Sequence, residues 1–480
     1  MDGSRAARAV LAVGATAYAL SVAAASQAPG PRAWGLHLPG FLSPPARLLV
    51  MALIFGAALL LAFDFFRAPG AQGSHVAPGA GRASRRRDAR GSAAPRAARR
   101  LPAWSGWLLL LPWAWILWKL VARTHFLGDG VVWLQGIRSG DPNPFSEPLS
   151  AATWKGYAFI LRSTGLPIDK VTAGLFPVFC GVVAAPILWG IATEVAPRSG
   201  SRLIALAVLA TMGFVQLYFG YIESYPPTSV AILAYLWLGL RHARGADHPL
   251  WLAAVLAITI TFHLATLFLL PSYIYLLIRD KRPLLLRAAL AIIPIAGAAG
   301  ILILLGYPPS RWLGAFQLAA RAVESGHGAA TFARPYSAFS PGHAWDLLNA
   351  ILLVLPVPAL LLLSAAAGRA ADRGAGEGSL DAPAVFLTAA ALPGLVLAIV
   401  LVLPVPPAQD WDLTSILLIP LAILGVKAGS TMAKVPLRGV RGVALAMLGT
   451  GALLSFVLVN ANESSGLRRF ETILAPGAKI

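Results

Sequence analysis

Five residues of this chain pair a reactive side chain with a suggestive setting. Asp129 stands between two glycines at the end of Arg123-Thr124-His125-Phe126-Leu127-Gly128-Asp129-Gly130. Glu223 lies in the polar turn from Tyr221 to Pro227, Asp410 and Asp412 flank Trp411, and His263 interrupts an apolar run. A carboxylate between glycines lets a bulky substrate come close. It can take a proton from a hydroxyl or hold a divalent cation. Each residue also has a plainer reading. Gly-Asp-Gly is a turn those residues favour unaided. Asp412 suits a helix N-cap beside an interfacial Trp411, and His263 suits a packing residue. Glu223 is harder to dismiss, because an acid so close to lipid needs a partner.

The arginines Arg311, Arg321 and Arg334 form a second candidate group, in a stretch that also holds Glu324 and His327. Guanidinium matches phosphate oxygens with a planar, always-charged fork, so a lipid-linked phosphate is the natural target. Contact with membrane anions is the plainer alternative.

The elements that must position these residues are membrane helices. The chain is 57% hydrophobic and 12% charged, against roughly 25% charged for a soluble domain, and its mean hydropathy is +0.70. Apolar runs of about 20 residues recur from end to end, and in lipid they must be helical because backbone groups there pair internally. The expected fold is all-α: a polytopic transmembrane helical bundle of about 13 helices. Residues 1–66 read as two N-terminal transmembrane helices. The first ends in Ala23-Ala24-Ala25-Ser26, which suits signal-peptidase cleavage too, although a retained helix is favoured. Residues 67–103 form an arginine-rich disordered cytoplasmic loop, 104–460 the main membrane domain, and 461–480 an external C-terminal tail.

Arginine placement orients the helices. Nine arginines fall between Arg67 and Arg100, and further basic turns at Arg198, Arg241, Arg279 and Arg438 mark the cytoplasmic side. Residues 122–169 and 307–343 are then external loops, and 203–220, 344–365 and 413–427 single spans. Residues 250–278 are either one span or two short helices meeting near His263. The helical pair keeps Arg279, Lys281 and Arg282 inside, and is preferred. With that topology Asp129, Asp141, Glu147, Glu223, Asp410 and Asp412 share the external face of what reads as a bacterial inner (plasma) membrane protein, with its active site facing the periplasm or exterior. Scarce acids gathered at one face are a candidate reaction centre.

Several classes are excluded. The chain's net charge is +19, and its densest basic stretch, the nine arginines from Arg67 to Arg100, lies in a Gly/Ala/Pro-rich loop without interleaved aromatics, which argues for anionic membrane lipids and no nucleic acid. Cys180 stands alone, so neither an intrachain disulfide nor a cysteine metal site can form. There is no P-loop, Rossmann fingerprint, HExxH or GxSxG.

The arrangement resembles the GT-C superfamily of polytopic glycosyltransferases, which use polyprenyl- or dolichyl-phosphate-linked sugars. The resemblance covers roughly residues 104–430. It is carried by Gly128-Asp129-Gly130 with Trp133 and Leu134, by the polar apex Thr261-Phe262-His263, by the cationic later loop, and by the turns Tyr221–Tyr225 and Gln409–Leu413. It implies a polyprenyl-phosphate-linked sugar donor, a lipid or glycan acceptor, and Asp129 as catalytic base. Glu223, His263, Asp410, Asp412, Arg311, Arg321 and Arg334 would bind substrate. Many members carry two adjacent acids in the first external loop; here glycine follows Asp129, and a second acid would come from Asp141, Glu147 or Glu223. The metal site is therefore open, with a divalent cation as the one cofactor in view. The alternatives are a lipid-linked glycan ligase or polymerase using His327 and Arg334, and a transporter or flippase. A transporter would carry acids near the midplane on repeat-related broken helices, and no repeat is visible.

Overall fold

A computed structural model describes residues 2–67, 110–140, 142, 146–196, 198–246, 248–314, 317, 337–372, 381–401, 407–431 and 437–474. Every regular element among them is helical. In chain order these are α1 (Gly3–Gln27), α2 (Pro44–Arg67), α3 (Leu110–Lys119), α4 (Gly130–Ser139), α5 (Pro148–Ser163), α6 (Lys170–Val195), α7 (Ser199–Leu209), α8 (Tyr225–Ala243) and α9 (Pro249–Phe262). They continue as α10 (Leu270–Arg279), α11 (Leu284–Leu304), α12 (Pro341–Val354), α13 (Pro356–Ala371), α14 (Ala382–Val400), α15 (Trp411–Leu417), α16 (Ile419–Thr431), α17 (Gly439–Asn460) and α18 (Glu463–Leu474). Among the described residues six helices are long and apolar enough to cross a membrane, or up to eight if each of two bent pairs is one span. The protein is an integral membrane protein.

The N-terminal helices belong to the same bundle as the rest: α1 packs on α13 and α2 on α17. Apolar side chains of nearly every helix join one continuous core. Prolines at 177, 186, 294 and 393 sit inside α6, α11 and α14, where neighbouring helices supply the packing that tolerates them.

Three expected spans are broken. The run 344–365 is two helices, α12 and α13, meeting at 102°. Pro356 follows Leu355, and the residue before a proline is driven out of helical backbone; α13 then restarts with that proline in its first turn. The run 413–427 bends by 51° between α15 and α16, where Pro420 cannot donate to the preceding turn. Gly394 of α14 permits close packing there, since a Cβ on it would stand 2.3 Å from the Leu417 carbonyl oxygen. The run 203–220 is helical to Leu209 and then forms a 3-10 segment, Gly213–Tyr218, packed against Val354.

The segment 250–278 is the helical pair. Helix α9 ends at Phe262, His263 is extended, and a 3-10 segment, Leu264–Leu269, leads into α10. At the apex Leu264 N donates to Ser146 O at 2.9 Å, so His263 meets the first loop. At the far end Asp280 binds Arg282 at 2.6 Å and faces His242 at 3.9 Å. His263 and the basic cluster therefore lie at opposite ends of the bundle.

The two regions expected as loop and tail are largely helical. Residues 122–169 contain α4 and α5, whose Val132, Phe159 and Ile160 are exposed. The start of the C-terminal tail is α18, which docks on α17 and on the 3-10 segments between α1 and α2.

Candidate active site

The tip of the first loop is built around a close approach. Gly128 has φ +111°, and a Cβ there would stand 2.4 Å from the Tyr221 hydroxyl and 3.2 Å from both Asp412 Oδ2 and Glu223 Oε1. Gly130 is confined too: its Cβ would lie 2.9 Å from His125 Cβ and from the Ile222 carbonyl oxygen. Only glycine fits at 128, by conformation and by space. These glycines therefore do more than make a turn. They let the 127–130 backbone lie directly on the turn 221–224.

Two side chains hold it there. The Tyr221 hydroxyl donates to Leu127 O, and the Asp129 N–H donates to Glu223 Oε1. Glu223 Oε2 accepts from Ser224 N at 3.2 Å, and the Glu223 carbonyl accepts from the Trp154 indole at 3.1 Å. Buried Glu223 is thus a clamp on the backbone of Asp129, while the Asp129 side chain itself is exposed.

A second knot ties the helical pair to the same end. His263 Nδ1 accepts from Ala265 N at 3.1 Å. Its proton therefore sits on Nε2, which faces Glu147 Oε1 at 3.3 Å. Ser146 donates to both oxygens of Glu147, and the His263 ring stacks on Tyr225 at 5.5 Å. Beneath them Ser150 Oγ lies 3.0 Å from both Ser224 O and Phe262 O, joining α5, the 221–224 turn and the apex.

Asp410 occupies the N-cap position of α15 without a side-chain cap bond, and Asp412 stands in its first turn. This corrects two expectations. Asp412 is not the cap; its Oδ1 accepts from Leu413 N at 3.0 Å, and Oδ2 has no hydrogen-bond partner. Trp411 is not an interfacial anchor but fully buried, edge-on to Tyr221 at 5.3 Å and to Phe456 at 4.8 Å.

The electrostatics follow from crowding. Burial, then the Asp129 charge, raises the Glu223 carboxyl well above its ordinary range. Burial pushes Asp410 up to about 6, with the charges of Asp129 and Glu147 adding to it against contacts from Asp412 and Tyr225. Partial desolvation of its carboxyl, then the charge of Glu147, raises Asp129. Burial lowers His263, against the pull of Glu147.

The structure thus brings together Asp129, Glu223, Asp410, Asp412 and, through Glu147, His263. Arg311 stands at the rim, 5.9 Å from the centroid of the Tyr307 ring, and both Glu147 and Arg311 act on the Tyr307 hydroxyl. Arg321, Arg334, Glu324, His327 and Asp141 lie outside the described residues. Among the described residues no three His, Cys, Asp or Glu side chains converge as metal ligands, so no residue here is assigned to a divalent cation. Sequence reasoning named the turn that holds Tyr221 but gave that tyrosine no role, and it passed over Ser150 and Arg469. Arg469 had a readable signal: helical spacing places it on one face with Ser465 and Ile473, and all three are buried.

No protein-family model matches the chain, and no curated protein matches it at significant similarity. Two solved structures are similar in fold. One is ArnT from Cupriavidus metallidurans bound to undecaprenyl phosphate, at 12% identity over 76% of this chain and 79% of that one, with a TM-score of 0.48. The other is a mutant of the arabinofuranosyltransferase AftD from Mycobacteria, at 19% identity over 74% of this chain and 28% of that one, with a TM-score of 0.39.

Proposed function

We propose that this protein is a membrane glycosyltransferase that moves a sugar from a polyprenyl-phosphate donor to a hydroxyl of a lipid or glycan acceptor. In this reading the carboxylate end of the bundle faces the outside of a bacterial plasma membrane. The observation that carries it is Asp129: an exposed carboxylate on a backbone clamped by a buried acid, in a cluster without a lysine or arginine partner among the described residues. An acid held this way is available to a substrate proton, where a structural acid would be paired.

The acceptor hydroxyl would deliver its proton to Asp129 as its oxygen bonds to the anomeric carbon. The bond from that carbon to the donor phosphate oxygen breaks, and its electron pair leaves with the phosphate. Arg311 at the rim, with Arg321 and Arg334, would bind the departing anion. Glu223 fixes where Asp129 stands, and alignment of base, acceptor and donor supplies the rest of the barrier reduction. Asp410, Asp412 and His263 would line the sugar side. Inversion at the anomeric carbon follows from the family resemblance of the sequence. The acids stand at helix ends rather than at mid-membrane, which favours chemistry over transport.

The test is transfer from a radiolabelled polyprenyl-phosphate sugar to endogenous membrane acceptors. Asp129→Asn is expected to lower the rate by about 100-fold or more with the protein still folded. Wild-type rates in Asp129→Asn would remove the proposed base. Because Asp129 must be ionised to act and its carboxyl is raised, the acid limb of the pH–rate profile should lie above the ordinary aspartate range of about 4.

A further inference from the structure

One cation at this end has no part in that scheme. Arg469 is completely buried on the inner face of α18. Its guanidinium carbon lies 5.7 Å from the centroid of the Phe456 ring, and Nη2 makes one long hydrogen bond, 3.4 Å, to Trp34 O. Nε and Nη1 have no partner, and no carboxylate among the described residues pairs with it. A buried guanidinium without a counter-ion is costly, so something must offset it.

A bound substrate anion cannot. The space shared by Arg469, Tyr221, Thr124, Asn460 and Phe456 is about 10 Å³, room for roughly one water. The negative charge lies on the other side of Tyr221. The Tyr221 hydroxyl packs with Glu223 and Asp412 around Gly128, and Arg469, Asp412 and Glu223 all act on it electrostatically. A second route runs through Phe456 to Trp411, the residue between Asp410 and Asp412.

We propose that Arg469 is a positioning residue for the carboxylate cluster: across the Tyr221 ring it supplies the positive charge that lets Glu223 and Asp412 share one buried pocket. The attraction also seats α18 over that pocket.

The other charged or titratable groups near Arg469 do not supply that charge. His37, on the loop between α1 and α2, is pushed by burial to about 3, and His125 to about 4, so both are neutral at pH 7. Lys170 is paired with Glu463 at 3.1 Å on the exposed side. Arg468 donates outside the pocket to Phe41 O at 3.2 Å. Arg123 is exposed. On the acid side stand Glu223, Asp412, Asp410, Asp129 and Glu147.

The experiment is a double-mutant cycle on the full-length protein in detergent, with Arg469→Met, Arg469→Lys and Glu223→Gln, read as thermal unfolding at pH 8 and pH 5. Removing the cation leaves the acids to repel one another, and protonation relieves that repulsion. Arg469→Met should lower Tm at pH 8. Most of that loss should disappear at pH 5 and in the Glu223→Gln background, and Arg469→Lys should restore Tm. An equal loss in both backgrounds and at both pH values would show a packing role only and overturn the proposal. If Arg469→Met does not accumulate, the cycle is read with Arg469→Gln. The link to turnover rests on the glycosyl-transfer reading. There Arg469→Met should move the acid limb of the rate profile up by about one pH unit, and Arg469→Lys should return it. Wild-type protein inactive on the labelled donor would sink the function while leaving the thermal cycle to decide the charge coupling.

Discussion

The two ends of the bundle treat their acids in opposite ways. At one end four acids each meet a cation: Asp381 and Lys427 at 2.6 Å, Asp280 and Arg282 at 2.6 Å, Asp64 and Arg441 at 2.9 Å, Glu194 and Arg244 at 3.2 Å. Three of these pairs join different helices and hold the bundle together where the basic turns lie. At the other end Asp129, Glu223, Asp410 and Asp412 crowd together, and among the described residues none has a lysine or arginine within salt-bridge distance. Their partners are backbone N–H groups, one another and Tyr225, with the neutral His263 reached through Glu147. A protein that needed only stability would not keep this arrangement. Such departures from local consistency are where function is expected.

That contrast is open to attack at several points. Asp381→Asn strands Lys427, which is 3% exposed, as a buried unpaired charge. Because the Asp381 side chain is 52% exposed, the pair is only partly desolvated and the expected cost is about 2–3 kcal/mol of stability, read as a fall in the detergent unfolding midpoint, while glycosyl transfer by the surviving folded protein stays near wild type. A small stability loss there would mean that the paired end is not what holds the helices.

At the carboxylate end Gly128→Ala should cost about 1–3 kcal/mol and abolish transfer, because the methyl meets Tyr221, Glu223 and Asp412 on backbone at φ +111°. Gly165→Ala is the control. It also has positive φ, +72°, but nothing within 4 Å of the added methyl, so about 1 kcal/mol and full activity are expected. Equal effects at the two sites would leave backbone conformation as the whole story of Gly128.

The smallest effect is in pH. Asp410 is raised in the folded protein to about 6, above the unfolded value of about 3.9. Between those values the folded state binds more protons than the unfolded state, so this group's contribution to stability falls as pH rises through about 6 and returns on acidification. The unfolding midpoint of wild type should therefore rise as pH is lowered from 7.5 to about 5, and Asp410→Asn should flatten that rise. An unchanged slope in Asp410→Asn would assign the titration elsewhere in the cluster.

Much of this was readable in the chain, though unevenly. The helical pair at 249–279 followed from charge: one span would have left Arg279, Lys281 and Arg282 on the external side, against the arginine bias of the other turns. Asp129 stood out through its glycines. The 102° break at Leu355 was missed, although Pro356 and Pro358 announce it, because hydropathy averages over a window and does not register a missing N–H. Trp411 was misplaced for a related reason. A tryptophan beside two acids at a helix start has the composition of an interfacial anchor, and only its neighbours Tyr221 and Phe456 make it a core residue.

Hydropathy and arginine bias were enough to place the acids at helix ends and to gather them on one face, because a bilayer enforces internal backbone pairing and charge asymmetry on each segment separately. Which of those acids touch was not in the sequence. Asp129 and Glu223 meet across 94 residues, Glu147 rather than any neighbouring acid faces His263, and Arg469 arrives from the far end of the chain. Such contacts depend on how helices cross and on which small residues let them approach, and those are properties of the packed bundle rather than of any one stretch of it.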